Sequence, residues 1–134
     1  MITVLLADDH IMVRDGLRHI LEAAGDIKII ALASNGKEAV AHAFASCPNI
    51  AIIDISMPVM DGIEATRQIL EICPHTRIVT LSMYHTGEYV QRALRAGAVG
   101  YVLKDAAGNE LVEAVRSLHA GKRYLSPQVA KYDS

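Results

Sequence analysis

The sequence predicts an open α/β domain, a parallel β-sheet with helices on both faces. Three observations predict it. Five short apolar runs recur along the chain, continuously greasy rather than alternating, as strands buried on both faces must be. Between them lie segments of about a dozen residues whose apolar positions recur at helical spacing. The two kinds of segment alternate, which is the pattern of a parallel sheet. A chain of 134 residues, 51% hydrophobic and 21% charged, suits one domain with its own core.

The first strand is "ITVLLA" (2–7). Val13, Leu17, Ile20 and Leu21 then form an apolar stripe on a helix that stops at Gly25. "IKIIALA" (27–33) is the second strand, followed by a helix marked by Val40, Ala43 and Phe44 and closed by Pro48. "IAIIDI" (50–55) is the third, and its helix carries Ile63, Ile69, Leu70 and Ile72 as far as Pro74. "RIVTLS" (77–82) is the fourth, with a helix ending at Gly97. "GYVLK" (100–104) is the fifth, and Leu111, Val115 and Leu118 mark the last long helix, stopped by Gly121. Ser126-Pro127 reads as an N-cap with proline at the first helical position, so a short final helix is expected there.

Composition excludes several classes. A net charge of −2 leaves no basic footprint for direct nucleic-acid binding. No apolar run reaches membrane-spanning length. The opening "MITVLLADD" lacks the basic start and long apolar middle of a signal peptide. The expectation is a soluble, cytoplasmic protein without a membrane partner. Cys47 and Cys73 each precede a proline and are expected to be reduced, structural residues. A zinc site would need more clustered ligands.

In open α/β sheets, ligands bind beyond the carboxyl ends of the strands. There the first strand delivers Asp8 and Asp9, the third Asp54, the fourth Ser82 and the fifth Lys104. The second, ending "ALASNG", delivers no charge. Three clustered carboxylates repel one another unless a cation neutralises them, and oxygen ligands suit Mg²⁺ or Mn²⁺. A carboxylate can also attack phosphorus. Phosphoryl transfer needs positioning and charge neutralisation, with a metal on one side and a lysine and a hydroxyl on the other. Asp54, alone at the central strand end, is the expected nucleophile; Asp8 and Asp9 are expected to hold the metal. Singly, each residue has an ordinary explanation as a turn former, helix cap or solvated strand end. Five such residues on four strand ends favour the joint chemical reading.

These residues resemble the receiver domain of two-component response regulators over residues 2 to 120. "ADDH", "DISMPVMDG", "TLS" and "GYVLKD" stand in that family's order and spacing, with Pro58 and the Asp61-Gly62 pair following the acceptor aspartate. "SMPVMDGIEATRQI", "RALRAGAVGYVLKDA" and "ELVEAVRSLHAGKRYLSP" resemble the NarL/FixJ subfamily, whose members usually carry a LuxR-type helix-turn-helix domain. The resemblance implies a flavodoxin-like fold with five strands in the order 2-1-3-4-5. It implies that Asp54 accepts a phosphoryl group from a sensor histidine kinase. Asp8, Asp9, Asp54 and the Ser56 backbone carbonyl would bind Mg²⁺. Ser82 and Lys104 would contact the phosphoryl oxygens, and Tyr101 would be the aromatic switch. It further implies a receiver over residues 1–122 and, over 123–134, the start of a tail toward an output domain outside this chain. DNA binding and transcription regulation would belong to that output domain, and a homodimer could form through the first and fifth helices or the Tyr101 face.

A phosphoryl group adds close to two negative charges and three acceptors. Ser82 and Lys104 can follow it, so the face of helix four, strand five and helix five is the expected bistable element, with Tyr84, Tyr89, Arg92 and Arg95 in the repacked region. Two departures stand out: Lys104 precedes Asp105 rather than proline, and Ser82 replaces the commoner threonine. Ser56 and Tyr84, each two residues beyond a site residue, should influence phosphate lifetime.

Competing readings are weaker. A haloacid-dehalogenase-type phosphatase needs Asp-x-Asp, and here the stretch is Asp54-Ile55-Ser56. "GKEAV" (36–40) lacks the first glycine of a phosphate loop, since Ala31 stands there, and Glu38 replaces its Ser or Thr. A phosphate-blind interaction module is disfavoured because all five chemical positions are intact. A single-domain phosphorelay protein remains the alternative. The expected role is therefore a self-phosphorylating and self-dephosphorylating acceptor rather than a turnover enzyme.

Overall fold

Six strands make one parallel sheet: β1 (Ile2–Ala7), β2 (Ile27–Ala33), β3 (Ile50–Asp54), β4 (Arg77–Ser82), β5 (Gly100–Leu103) and β6 (Tyr124–Leu125). The structure is a computed structural model and describes residues 1–133. Five helices connect the strands: α1 (Ile11–Ala23), α2 (Gly36–Ala45), α3 (Gly62–Ile72), α4 (Gly87–Arg95) and α5 (Ala107–His119). The strand order is β2-β1-β3-β4-β5-β6. The chain reverses its winding direction between β1 and β3, the switch point at which such sheets open a binding crevice.

Alternation along each strand divides the core in two. Leu5, Ala51, Ile53, Ile78, Tyr101 and Leu103 face α2, α3 and α4, where Ala39, Ala43, Ile69, Val90 and Ala93 meet them. Val4, Leu6, Ile50, Ile52, Val79 and Val102 face α1 and α5, against Leu17, Leu21, Leu111, Val115 and Leu118. Burial on both faces is why the inner strands β1, β3 and β4 read as apolar runs, while the edge strand β2 is mostly half-buried. The α2 stripe is narrower than its sequence suggests. Ala39 and Ala43 are buried, but Phe44 is 75% exposed.

The tail differs from expectation. The sheet gains β6 where five strands were expected, through Tyr124 N–H on Val99 C=O (3.2 Å) and Ser126 N–H on Tyr101 C=O (2.9 Å). No helix starts at Pro127. Ser126 Oγ accepts the Leu103 N–H (3.0 Å) and donates to Glu110 Oε1 (2.6 Å), so it anchors the tail instead of capping a helix. A 3₁₀ turn follows at Ala130–Tyr132. Ser134, the last residue of the expected tail segment, lies outside the described residues.

The expectation of free cysteines is overturned. Cys47 and Cys73 form a disulfide, with Cα atoms 5.7 Å apart. Cys47 lies in the loop before β3 and Cys73 in the loop before β4, and those strands are neighbours. Pairing of β3 with β4 brings together two residues that are 26 positions apart in sequence.

Candidate functional site

The carboxyl ends of β1, β3, β4 and β5 bring the sequence-predicted residues to one edge of the sheet. Asp8 is fully buried. Its Oδ1 accepts the His10 backbone N–H (2.8 Å), closing the short turn from which α1 starts. Asp54 ends β3 and is 2% exposed. Its Oδ1 accepts the Ser56 N–H (3.2 Å), which holds the carboxylate over the strand end. Lys104 reaches across from the end of β5. Its Nζ lies 3.0 Å from Asp54 Oδ2 and 3.1 and 3.0 Å from the two Asp8 oxygens. One ammonium thus bridges two buried carboxylates contributed by strands on either side of the switch point.

The β3–α3 loop shows how backbone and glycine hold this geometry. A Cβ at Gly62 would lie 2.2 Å from the Asp54 carbonyl oxygen, so only glycine lets α3 pass this close to the end of β3. Asp61 is the helix cap; its Oδ1 accepts the Ile63 and Glu64 N–H groups at 2.9 Å each. The Asp-Gly pair therefore fixes where α3 begins relative to Asp54. Between them Val59 adopts φ +70, the one non-glycine positive φ among the described residues.

Burial sets the electrostatics. Desolvation pushes Asp54 up to about 6, against the pull of Lys104, and the nearby Asp8 charge pushes the same way. Burial also works against the Lys104 charge, but its hydrogen bonds to Asp54 and Asp8 outweigh this and hold its pKa above the ordinary lysine value. Both partners shift upward, so proton release from Asp54 is the step that nears neutrality.

Ser82 and Tyr101 form a second, adjoining arrangement. Tyr101 is completely buried. Its hydroxyl lies 2.8 Å from the Tyr84 carbonyl and 2.9 Å from Ser82 Oγ. The carbonyl has no proton to give, so the phenol proton belongs there, and the Ser82 hydroxyl proton then faces the Tyr101 oxygen. Ser82 Oγ also accepts the Tyr84 N–H (2.9 Å). Ser82 is thus engaged with Tyr101 and Tyr84 rather than with a site carboxylate. Burial holds the Tyr101 phenol pKa above its usual value.

Ser56 is exposed, and its Oγ is 3.5 Å from the Tyr84 hydroxyl. The Tyr84 and Tyr89 rings stack at 3.9 Å, and the Arg92 guanidinium sits 5.4 Å from the Tyr89 centroid. Arg95 is exposed on the same helix. A cavity over the strand ends is lined by His10, Asp54, Ser56, Met83, Tyr84 and Lys104. Sequence reading left His10 without a task and missed the strain at Val59; no residue type signals either one.

The donor set can hold a divalent cation, the three carboxylates being ligands that suit a hard ion. Asp8, Asp9, His10 and Asp54 each offer an atom, all within 4.8 Å of one another. Asp8 Oδ2 and Asp9 Oδ1 are buried and carry no hydrogen bond, although Lys104 Nζ lies near the first. A buried carboxylate oxygen without a hydrogen bond, Asp9 Oδ1, next to a buried carboxylate met only by an ammonium, is what a bound cation satisfies.

Residues 4–116 match the family described as the response regulator receiver domain. The chain is 40% identical over 131 residues to the response regulator UvrY of Escherichia coli O6:H1, covering 98% of this chain and 60% of that protein. It is 37% identical over 131 residues to the response regulator GacA of Pseudomonas protegens, again over 98% of this chain and 62% of the relative. The chain thus spans about three-fifths of the length of these curated relatives. A LuxR-family two-component response regulator from Aurantimonas superposes with a TM-score of 0.92 at 35% identity, covering 97% of this chain and 93% of that one. The isolated receiver domain of RcsB from Salmonella enterica serovar Typhimurium, solved with the phosphomimetic BeF₃⁻, gives 0.88 at 26% identity, over 98% and 97% of the two chains.

Proposed function

Because the chain belongs to the response regulator receiver domain family, we propose that it accepts a phosphoryl group on Asp54 from a phosphohistidine of a sensor histidine kinase. The observation that carries this is the Lys104 ammonium bridging Asp54 and Asp8 at 3.0 Å in a buried, strand-end site. In the transfer, an Asp54 carboxylate oxygen attacks phosphorus, an O–P bond forms, the N–P bond breaks, and the leaving imidazole keeps the electron pair. Lys104, already on Asp54 Oδ2, follows the charge onto the phosphoryl oxygens. The Ser82 hydroxyl leaves Tyr101 to donate to another of them, which frees the Tyr101 phenol and shifts Tyr84, and with it the stacked Tyr89 of α4. Asp8, Asp9, Asp54 and the Ser56 backbone carbonyl would hold Mg²⁺ or Mn²⁺. When bound, that ion would supply charge neutralisation for the oxygens of the transferring phosphoryl group.

The acceptor also loses its phosphate by hydrolysis and is not a turnover enzyme. Residues 1–122 would be the switch and 123–134 the route toward an output domain. Regulation of transcription, and contact with DNA, would belong to that domain. Among the described residues no helix is long and apolar enough to cross a membrane, and a cytoplasmic setting follows from the two-component reading. A homodimer would use α1 and α5 more readily than the Tyr101 face, since β6 and the buried Val129 cover β5.

Incubation with Mg²⁺ and acetyl phosphate should add one phosphoryl mass to the chain, and Asp54→Ala should remove the gain. No gain, or a gain that survives in the variant, overturns the acceptor reading. Sustained phosphate release from small phosphate esters would point to a phosphatase instead.

A further inference from the structure

His10 directly follows the Asp8-Asp9 pair and occupies the N-cap of α1, yet its side chain makes no capping hydrogen bond. Its Nδ1 turns back over the strand end, 3.0 Å from Lys104 Nζ, 3.3 Å from Asp8 Oδ1 and 3.4 Å from Asp9 Oδ1. These contacts demand opposite protons. An ammonium only donates, so the Lys104 contact needs a lone pair on Nδ1, whereas a bond to either aspartate needs a hydrogen there. The lysine contact is the shortest, and a proton on Nδ1 would face the ammonium protons head-on. With the ring proton on Nε2, the form the Lys104 contact suits, Nδ1 presents a lone pair to the space shared with Asp8, Asp9 and Asp54.

That space has the size of a coordination sphere. Opposite ligands of an octahedral ion at ~2.1 Å stand about 4.2 Å apart. The four candidate atoms lie within 4.8 Å of one another, so small side-chain rotations close the set. Asp8 is completely buried with Oδ2 lacking a hydrogen bond, and Asp9 Oδ1 lacks one too. The Lys104 ammonium touches Asp8, Asp54 and His10 but not Asp9, so a divalent cation on the Asp9 side would sit beside it, sharing the carboxylates rather than replacing it. His10 itself is 61% exposed, which leaves its ring free to turn without loss of core packing.

A nitrogen donor alters which ion the site favours. Mg²⁺ takes oxygen ligands and gains little from imidazole, whereas first-row transition ions bind nitrogen increasingly well along the series from Mn²⁺ to Cu²⁺. We propose that His10 is a direct ligand for a divalent transition-metal ion in the Asp8–Asp9–Asp54 site, making that site selective for such ions over what carboxylates alone would hold. This rests on the reading that the three carboxylates bind a cation.

The test uses Co²⁺ and Mg²⁺ as separate probes on the whole chain, by titration calorimetry and by the visible absorbance of Co²⁺. His10→Ala should weaken Co²⁺ binding by at least about tenfold, the loss that even an outer-shell partner produces. Its Mg²⁺ affinity should stay within about twofold. Excess Mg²⁺ should displace Co²⁺ from the wild type, which separates this site from other surface histidines. Equal Co²⁺ affinity with and without His10, or Co²⁺ that Mg²⁺ does not displace, overturns the assignment. Asp9→Asn distinguishes the two levels: if it weakens both ions while His10→Ala weakens neither, only the His10 role fails. If it weakens neither ion, the carboxylate metal site fails with it.

Discussion

The two ends of the sheet are built on opposite terms. At the end where the strands begin, the loops are tied together. The Cys47–Cys73 disulfide joins the loops entering β3 and β4. Thr3 and Asn49 exchange backbone-to-side-chain hydrogen bonds at 2.9 Å each, Thr76 Oγ1 donates to Pro48 C=O at 2.6 Å, and Arg77 reaches Leu118 C=O at 3.0 Å. The backbone reversals there use glycine at Gly25, Gly97 and Gly121, with φ of +89, +113 and +89. At the end where the strands finish, charges are buried, two carboxylate oxygens lack hydrogen bonds, and the positive φ falls on Val59. One end is relaxed and satisfied while the other stores unmet electrostatic and conformational demand. The difference teaches where this fold keeps its stability and where it keeps its chemistry.

The sharpest way to separate the two ends is to remove the proposed acceptor, Asp54. Asp54→Asn should abolish phosphorylation by acetyl phosphate, read by mass, because the amide oxygen is no longer a competent nucleophile. The same change should leave urea unfolding intact or slightly improved, since it removes a buried charge that desolvation disfavours. A variant that loses stability heavily would show that the functional end also holds the fold together, and the comparison would break.

The converse change acts at the other end. Opening the Cys47–Cys73 bridge releases a loop spanning a separation of 26 residues, which should cost about 3.5 kcal/mol by loop entropy. Urea unfolding with and without reductant, and of the Cys47→Ser/Cys73→Ser double variant, measures it. Phosphorylation of Asp54 should proceed at an unchanged rate. Equal stability in both redox states would remove the staple from the account. In a reducing cytoplasm this stabilisation would be withheld, so the expected stability depends on compartment.

Most of this division was readable in the residues, for physical reasons that differ between the ends. "ITVLLA", "IKIIALA" and "RIVTLS" span β1, β2 and β4 residue for residue; burial on both faces demands this of β1 and β4, while β2, at the sheet edge, is mostly half-buried. Asp8, Asp9, Asp54, Ser82 and Lys104 follow from what each strand delivers at its carboxyl end, a rule that needs topology but no distances. The cysteine pairing was not readable, because it depends on β3 lying beside β4 rather than on spacing. Tyr124–Leu125 is too short to declare itself a strand. Phe44 follows a helical stripe, yet the sheet beneath α2 is already filled by Ala39 and Ala43. The direction of the His10 lone pair depends on where Lys104 lands, 94 positions away in sequence.

A pH titration probes the electrostatic demand of the functional end alone. Asp54 near 6 in the fold lies above its ordinary 3.8, so folding favours the protonated form. Its contribution is therefore fully present below about pH 4 and lost as pH rises through about 6. Stability of the metal-free protein, measured in EDTA, should fall across that window by on the order of 1–2 kcal/mol once solvent screening is allowed for. Other groups titrate there too, so the quantity to read is the difference between wild type and Asp54→Asn. Mg²⁺ should flatten that difference, because a bound cation favours the ionised carboxylate. A difference that is already flat in EDTA would mean that Lys104 fully compensates the burial of Asp54.

The smallest effect tests the conformational half of the contrast. Val59 is β-branched, 78% exposed and held at φ +70, where the left-handed region costs an ordinary side chain about 1–2 kcal/mol. No burial of the valine offsets that cost. Val59→Asn, a residue that tolerates this region, should raise stability by about 1 kcal/mol in urea unfolding. Val59→Gly should gain less, because glycine also loosens the unfolded chain. The loop carries Ser56, which lines the same cavity as Asp54, and precedes the Asp61 cap, so its conformation bears on the proposed acceptor. If the strain serves only the path of the chain from Asp54 to α3, phosphorylation should be unchanged in Val59→Asn. If phosphorylation or its decay changes while stability rises, the strained turn tunes the site, and the functional end stores conformational as well as electrostatic energy for use.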